Sequence, residues 1–195
     1  MSLHDSDYAP DAFDVKISEL LVATSDGSDE LIDNSVGEVL RLLREHLKMD
    51  VAFVSEFSDG RRVFKRVDTR PEARVIEAGQ SSSLEESYCQ RVVDGRLPQL
   101  IHDVGMLPEA RSLPRAPFPI GAHMSTPVVL ADGRVYGTIC CFSFAPNNDL
   151  TQKDLKKLEM SAQLTAKKIN ERQAQAAAEA TANWSLAPQE PLRRR

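Results

Sequence analysis

A chain of 195 residues, 42% hydrophobic and 27% charged, has enough apolar material for one well-buried domain with extensions and lies outside the composition range of wholly disordered chains. A formal net charge of -5 leaves no overall basic field for nucleic acid or an anionic membrane surface, and no apolar run approaches the length that spans a bilayer. Residues 1–7, MSLHDSD, lack the positive charge and apolar core of a secretory signal, and three cysteines, an odd number, make no disulfide framework; the expectation is a cytoplasmic protein with reduced thiols.

From Asp11, the apolar residues Phe13, Ile17, Leu20 and Leu21 fall at helical spacing, and the pattern ends in polar residues 24–29, which predicts a short helix and a loop. A stronger stripe follows: Leu31, Ile32, Val36, Val39, Leu40, Leu43 and Leu47 define one face of a core-facing helix that ends near Lys48. Residues 50–57 read as a strand, Ser58-Asp59-Gly60-Arg61 as a hairpin turn and residues 62–69 as the return strand. Residues 79–83 form a loop. Ser83 with Glu86 fits a capping box, which predicts a helix beginning there with Leu84, Tyr88, Cys89, Val92 and Val93 on one face and Gly95 as its stop.

Residues 98–104 read as a short strand. Pro108, Pro114, Pro117 and Pro119 then exclude regular structure from most of 105–119 and leave room for one short helical turn; a loop this long inside a domain is a candidate for function. Two apolar runs flank Ala131-Asp132-Gly133-Arg134, the pattern of a long antiparallel hairpin. Alternation places His123, Ser125, Pro127 and Val129 on one face and Ala122, Met124, Thr126, Val128 and Leu130 on the other. The outgoing strand, 135–144, is apolar on both faces, so the hairpin belongs mid-sheet, covered on both sides. Thr151 with Asp154 makes a capping box and Leu150 with Leu155 a hydrophobic staple. The helix they start runs through Leu155, Leu158, Ala162, Thr165 and Ile169 into an Ala-rich stretch with no stop before Asn183. That is about 31 residues or roughly 45 Å, too long for one flank of the domain, so its end must project; residues 184–195 read as a tail.

This order of elements predicts an α+β fold. The segments 86–94, 97–103 (Leu97-Pro-Gln-Leu-Ile with Asp103), 120–123 (Ile-Gly-Ala-His), Pro127-Val128 and 132–143 (Asp-Gly-Arg-Val-Tyr-Gly-Thr-Ile-Cys-Cys-Phe-Ser) resemble a bacterial GAF domain of the kind that precedes cyclic-di-nucleotide cyclase or phosphodiesterase domains. The resemblance covers residues 30–172, leaving an N-terminal extension, 1–29, with a short helix, and a helical extension and disordered tail, 173–195. It implies a GAF-like, PAS-related central antiparallel β-sheet with N- and C-terminal helices on one face. On the other it implies a small-molecule or cofactor pocket, roofed by the Cys89 helix and the Pro-rich loop. With strand parity it places Phe53, Tyr88, Cys89, His102, His123, Ser125, Thr138 and Cys140 around that pocket, with the ligand or cofactor left unidentified.

Each chemical candidate has a plainer reading. Cys89, beside Arg91, is either an activated thiol or a small buried hydrophobe. Cys140 and Cys141 point to opposite faces of one strand and cannot chelate together, and no Cys-x-x-Cys or His pair at ligand spacing accompanies them, so no metal is expected. His102 or His123 could ligate haem iron or hydrogen-bond a ligand, or sit satisfied in the core. GAF enzymes that reduce free methionine sulfoxide use a cysteine near what is here His123-Met124-Ser125, and bilin-binding GAF domains a cysteine next to a histidine; neither cysteine is present. Of the cyclic-nucleotide pattern only Asp154 survives, already explained by capping. Arg61, Arg62, Lys65 and Arg66, and Lys153, Lys156, Lys157, Lys167 and Lys168, read as solvated surface among interleaved acids.

The expectation is therefore a non-enzymatic sensory or regulatory GAF domain. It would bind a small molecule and signal through its terminal helices to a separate output partner, as a homodimer joined by the N- and C-terminal helices, with no nucleic-acid or membrane partner. The alternatives are a GAF-fold thiol enzyme using Cys89 and a ligand-free dimerisation adaptor.

Overall fold

The computed structural model describes residues 15–17, 19 and 29–185, with the side chains of 29–34 and 183–185 left aside. The expected positions of Phe13, Leu20 and Leu21, the side chains of Leu31, Ile32 and Trp184, and the tail from 186 lie outside the described residues. The elements are α1 (Asp29–His46), β1 (Val51–Ser58), β2 (Arg61–Thr69), β3 (Ser81–Ser83), α2 (Tyr88–Val93), β4 (Leu100–Ile101), β5 (Ala122–Val129), β6 (Val135–Ser143) and α3 (Gln152–Ser185). Residues 15–17 and 19 are helical, and Ile17 is fully buried against the same core as α1.

The six strands form one sheet in the order β3-β2-β1-β6-β5-β4, with every neighbouring pair antiparallel. The fold is α+β, and β6 lies between β1 and β5 as its two apolar faces require. Both long hairpins follow from their turns. Asp59 and Gly60 both take positive φ, 51° and 71°, the left-handed pair of a type I′ turn whose twist matches the flanking strands. In the second hairpin Gly133 takes φ 83°, and Gly133 N donates to the Leu130 carbonyl while Leu130 N donates to that of Arg134, closing a three-residue loop.

Period-2 alternation divides the sheet into two cores. Ala52, Val54, Met124, Val128, Ile139 and Cys141 face α1 and α3, where Val39, Leu40, Leu43, Leu155, Leu158 and Ala162 cover them. Val51, Phe53, Phe64, Cys140 and Phe142 face the opposite side, with Cys89 of α2 packed on them. Apolar area removed from water in this way stabilises the fold by roughly 25 cal/mol per Å².

Three local expectations change. The helix predicted from Ser83 does not begin there: Ser81–Ser83 pair with Arg61–Val63 as the edge strand β3, which engages their backbone in a ladder. Helix α2 starts instead at Ser87, whose Oγ accepts from Gln90 N at 3.0 Å, and it stops at Gly95 with φ 77°. The strand expected over 98–104 is only Leu100–Ile101, because Asp103 turns the chain by accepting from Gly105 N and Val104 N bonds the Gly121 carbonyl. The Pro-rich stretch holds two 3₁₀ turns, Val104–Met106 and Ala110–Ser112, where one was expected.

The start of α3 is as its capping box dictates: Asp154 accepts from Thr151 N and Thr151 Oγ1, and Thr151 Oγ1 accepts from Asp154 N. At 34 residues α3 is about 50 Å long, and residues 172–182 are exposed throughout. Lys157 and Lys168, read as solvated surface, are buried; Lys157 Nζ lies 3.3 Å from His46 Nε2 and Lys168 Nζ 3.8 Å from the Glu171 carboxylate.

Candidate functional site

On the sheet face away from α1 and α3 lies a cavity of about 640 Å³, within the size range of small-ligand sites. Its floor is the sheet, through Phe53, Phe64, His123, Cys140 and Phe142. One side is β3 with its three serines, and the roof is α2 with Tyr88 and Arg91 together with the Pro-rich loop, through Pro114 to Phe118. The aromatic rings lock one another: Phe53 meets Phe64 edge-on at 5.0 Å between centroids, and Phe118 stacks on Phe142 at 5.4 Å and 8°. Phe118 thereby ties the loop to the floor.

The wall is cationic. Arg62, Arg91 and Arg115 line the cavity against one carboxylate, Glu86. Arg62 is held from three sides: its Nη1 donates to Cys89 Sγ at 3.3 Å, its Nη2 donates to Ser82 Oγ at 3.1 Å, and its guanidinium lies 4.8 Å from the Phe64 ring centroid. The Nε atoms of Arg62 and Arg91 are buried without a hydrogen-bond partner. A buried donor left unmatched costs about 1–3 kcal/mol, so both guanidinium groups are incompletely satisfied by the protein alone.

The sequence-predicted site residues divide. Phe53, Tyr88, His123 and Cys140 line the cavity, and Cys89 lies immediately behind the wall, fully buried. Ser125 and Thr138 are fully buried but not in the lining; Thr138 Oγ1 and Ser55 Oγ are 3.0 Å apart and satisfy each other, while Ser125 Oγ has no partner. The register explains the split for Thr138. Phe142 and Cys140 pair with Val51 and Phe53, the rows under the cavity, whereas Thr138 pairs with Ser55 one row further along. His102 is a correction: it is exposed and its Nε2 donates to the Leu150 carbonyl at 2.9 Å, tying the end of β4 to the start of α3.

Arg62, expected as solvated surface, lines the cavity: alternation puts it on the same face as Phe64, and Phe57 and Ser55 opposite them share that face with Phe53. That parity was the available signal. Arg91 stands three residues after Tyr88, a helical spacing that puts the two side by side, whereas Arg115 and Phe118 carried no signal, because an irregular loop has no period that fixes side-chain direction.

Cys89, His123 and Cys140 meet although they come from α2, β5 and β6. Their ligating atoms lie within 4.8 Å of one another, with Cys140 Sγ and His123 Nε2 at 3.2 Å. The hydrogen bond from Cys140, the Arg62 charge and His123 hold the Cys89 thiol well below the ordinary thiol range against the effect of burial. Burial and the neighbouring Cys89 push Cys140 well up. Cys141, on the other face, is pushed up to about 12 by burial.

A six-stranded antiparallel sheet with helices on one face and a walled cavity on the other defines an α+β module of the ligand-pocket type. The GAF domain family model matches residues 29–170, and the chain belongs to that family. Solved structures agree in fold. The GAF domain of Acinetobacter phosphoenolpyruvate-protein phosphotransferase aligns with a TM-score of 0.64 and 13% identity, over 86% of this chain and 97% of that one. The phycoerythrobilin-bound GAF domain of a cyanobacterial phytochrome aligns with a TM-score of 0.64 and 13% identity, over 86% and 100%. Free methionine-R-sulfoxide reductase from Neisseria meningitidis, in complex with its substrate, aligns with a TM-score of 0.61 and 16% identity, over 89% and 98%. No curated protein matches the sequence. Among the described residues no helix is long and apolar enough to cross a membrane.

Proposed function

We propose that the chain is a non-enzymatic sensory or regulatory GAF domain whose cavity binds a small organic anion with a flat or apolar body, and which signals through its terminal helices to an output partner. The observation that carries this reading is the pair of half-buried arginines, Arg62 and Arg91, lining a cavity walled by phenylalanines with one carboxylate, Glu86, among them. An anionic ligand matches the charge of these arginines, and the rings take the ligand body. A binding role is supported further by Cys89, which is enclosed and reached by Arg62 rather than open to the cavity. Binding shifts a helix equilibrium only if the ligand favours one arrangement, and the Phe118–Phe142 stack is the contact through which the loop can report occupancy.

The test is native mass spectrometry of the purified chain for a retained small molecule, followed by titration with 8-anilinonaphthalene-1-sulfonate, an anionic aromatic probe. Saturable one-to-one binding that falls with Arg62→Met and Arg91→Leu is expected; no saturable binding removes the sensor reading in favour of an adaptor. A second reading, a thiol-dependent reductase, is favoured by the closeness of Cys89 and Cys140 and by the reductase among the structural neighbours. Turnover of free methionine-R-sulfoxide that disappears in Cys89→Ala would decide for it.

Homodimerisation belongs to the same proposal, with its contact moved. Leu155, Leu158 and Ala162 of the C-terminal helix pack on the chain's own sheet and leave that stripe closed to a second copy. The segment left to a second copy is 172–182, exposed and Ala-rich, as the continuation of a helix that isolated would fray. Light scattering of the full chain against one ending at Arg172 is expected to give dimer and monomer; a monomeric full chain at about 50 μM, well above a Kd near 1 μM, overturns it.

A further inference from the structure

We propose that Cys89, His123 and Cys140 form a binding site for a soft metal ion, and that the ion the site is built for is monovalent copper. Two sulfurs and an imidazole nitrogen from three separate elements converge within 4.8 Å, all buried. Thiolate and imidazole bonds of about 2.0–2.3 Å arranged trigonally separate the ligand atoms by about 3.7–4.0 Å. The three atoms therefore need only small side-chain rotations, with Cys140 Sγ and His123 Nε2 moving apart from 3.2 Å. Two thiolates with one imidazole are the soft donor set that thiophilic ions select. His123 lies in the cavity floor with its Nε2 turned to Cys140. The cavity also supplies a path by which an ion reaches the site.

Charge chooses among thiophilic ions. Binding replaces the two thiol protons, which pass to solvent, so the ligand set contributes two negative charges. A divalent ion then makes a neutral centre and leaves the half-buried Arg62 guanidinium, 3.3 Å from Cys89 Sγ, as an uncompensated cation. A monovalent ion leaves one negative charge that Arg62 neutralises through a charge-assisted N–H···S bond. Cys141 takes no part, since it packs in the core on the other face of β6. The site stands whether or not the cavity holds an organic anion.

The experiment is an anaerobic titration of the full reduced chain with Cu(I), supplied as its acetonitrile complex and competed by bicinchoninate, with Zn(II) titrated in parallel. One Cu(I) per chain is expected. Cys89→Ser and Cys140→Ser should each weaken it by at least ~100-fold, the upper range for losing even an outer partner of a ligand, while Cys141→Ala leaves it unchanged. Arg62→Met should lower the preference for Cu(I) over Zn(II). Binding that survives both serine variants, or Zn(II) held in preference to Cu(I) by the unaltered chain, overturns the proposal. X-ray absorption of the copper-loaded unaltered chain serves even where a variant fails to fold: two sulfur scatterers and one nitrogen are expected, and any shell with fewer than two sulfurs refutes the site.

Discussion

Replacing Arg62 with methionine separates what the residue does for folding from what it does for the cavity. In the native wall Arg62 makes hydrogen bonds to Ser82 Oγ and Cys89 Sγ and lies over two rings, 4.8 Å from Phe64 and 5.6 Å from Phe53. Each hydrogen bond contributes about 0.5–1.5 kcal/mol net, the sulfur one at the low end, and the ring contacts add about 0.5–1 kcal/mol each. Against these stand the partial desolvation of a cation and a buried, unmatched Nε, which together cost a few kcal/mol, about 1–3 for the Nε alone. The terms nearly cancel, and methionine keeps an apolar stem against both rings. The expected change in stability is within about 1 kcal/mol, or no more than about 4 °C in Tm for a chain of this size. Affinity for an anion has no such cancellation. Removing one of the three positive groups that line the cavity should lower it by about 10- to 100-fold, which corresponds to about 1.4–2.8 kcal/mol. Thermal unfolding followed by circular dichroism and titration with 8-anilinonaphthalene-1-sulfonate read the two effects separately. A fall in Tm beyond about 8 °C shows that Arg62 is chiefly structural, and unchanged dye affinity shows that its charge does not face the ligand; either result refutes the reasoning.

Thr138→Val leaves Ser55 Oγ buried without its 3.0 Å partner and should cost about 1–3 kcal/mol, whereas adding Ser55→Ala should recover much of it; urea unfolding of the double-mutant cycle reads the coupling, and purely additive losses would disprove the pairing. Gly137→Ala would place a Cβ 1.8 Å from the Ser55 carbonyl oxygen, so β1 and β6 must separate, with a loss of about 4 kcal/mol or more; a variant with near-native denaturant midpoint would contradict the strand spacing. Tyr136 has its phenol pushed up to about 12, first by burial and then by the Glu56 carboxylate. A folded pKa above the unfolded value near 10 means that its contribution is fully present below pH 10 and is lost as pH rises towards 12. Tyr136→Phe, which cannot ionise, should therefore show a shallower alkaline loss of stability than the unaltered chain; superimposable pH profiles would count against it.

What the sequence by itself determined was whatever depends on neighbouring residues. Asp59-Gly60 and Gly133 set both hairpins because few other residues accept positive φ there. Thr151 and Asp154 set the start of α3 because a cap is a contact three residues long. Strand parity set His123 apart from Met124 and Cys140 apart from Cys141, since the side-chain period of 2 needs no partner to be read, while which face meets the cavity and which the helices waited on the packing. Tertiary structure alone decided where each strand and helix stands against the others. Ser83 carries a legible capping pattern, but pairing with β2 claims its backbone and the cap passes to Ser87. His102 looked like a site residue until the approach of residue 150 gave it a carbonyl outside the cavity. Cys89, His123 and Cys140 are 34 and 17 residues apart along the chain, a spacing with no ligand signature, and they meet only because β5 and β6 pair while α2 packs across them. Contacts of that kind are set by sheet order and helix docking, which depend on many weak, distant burials at once.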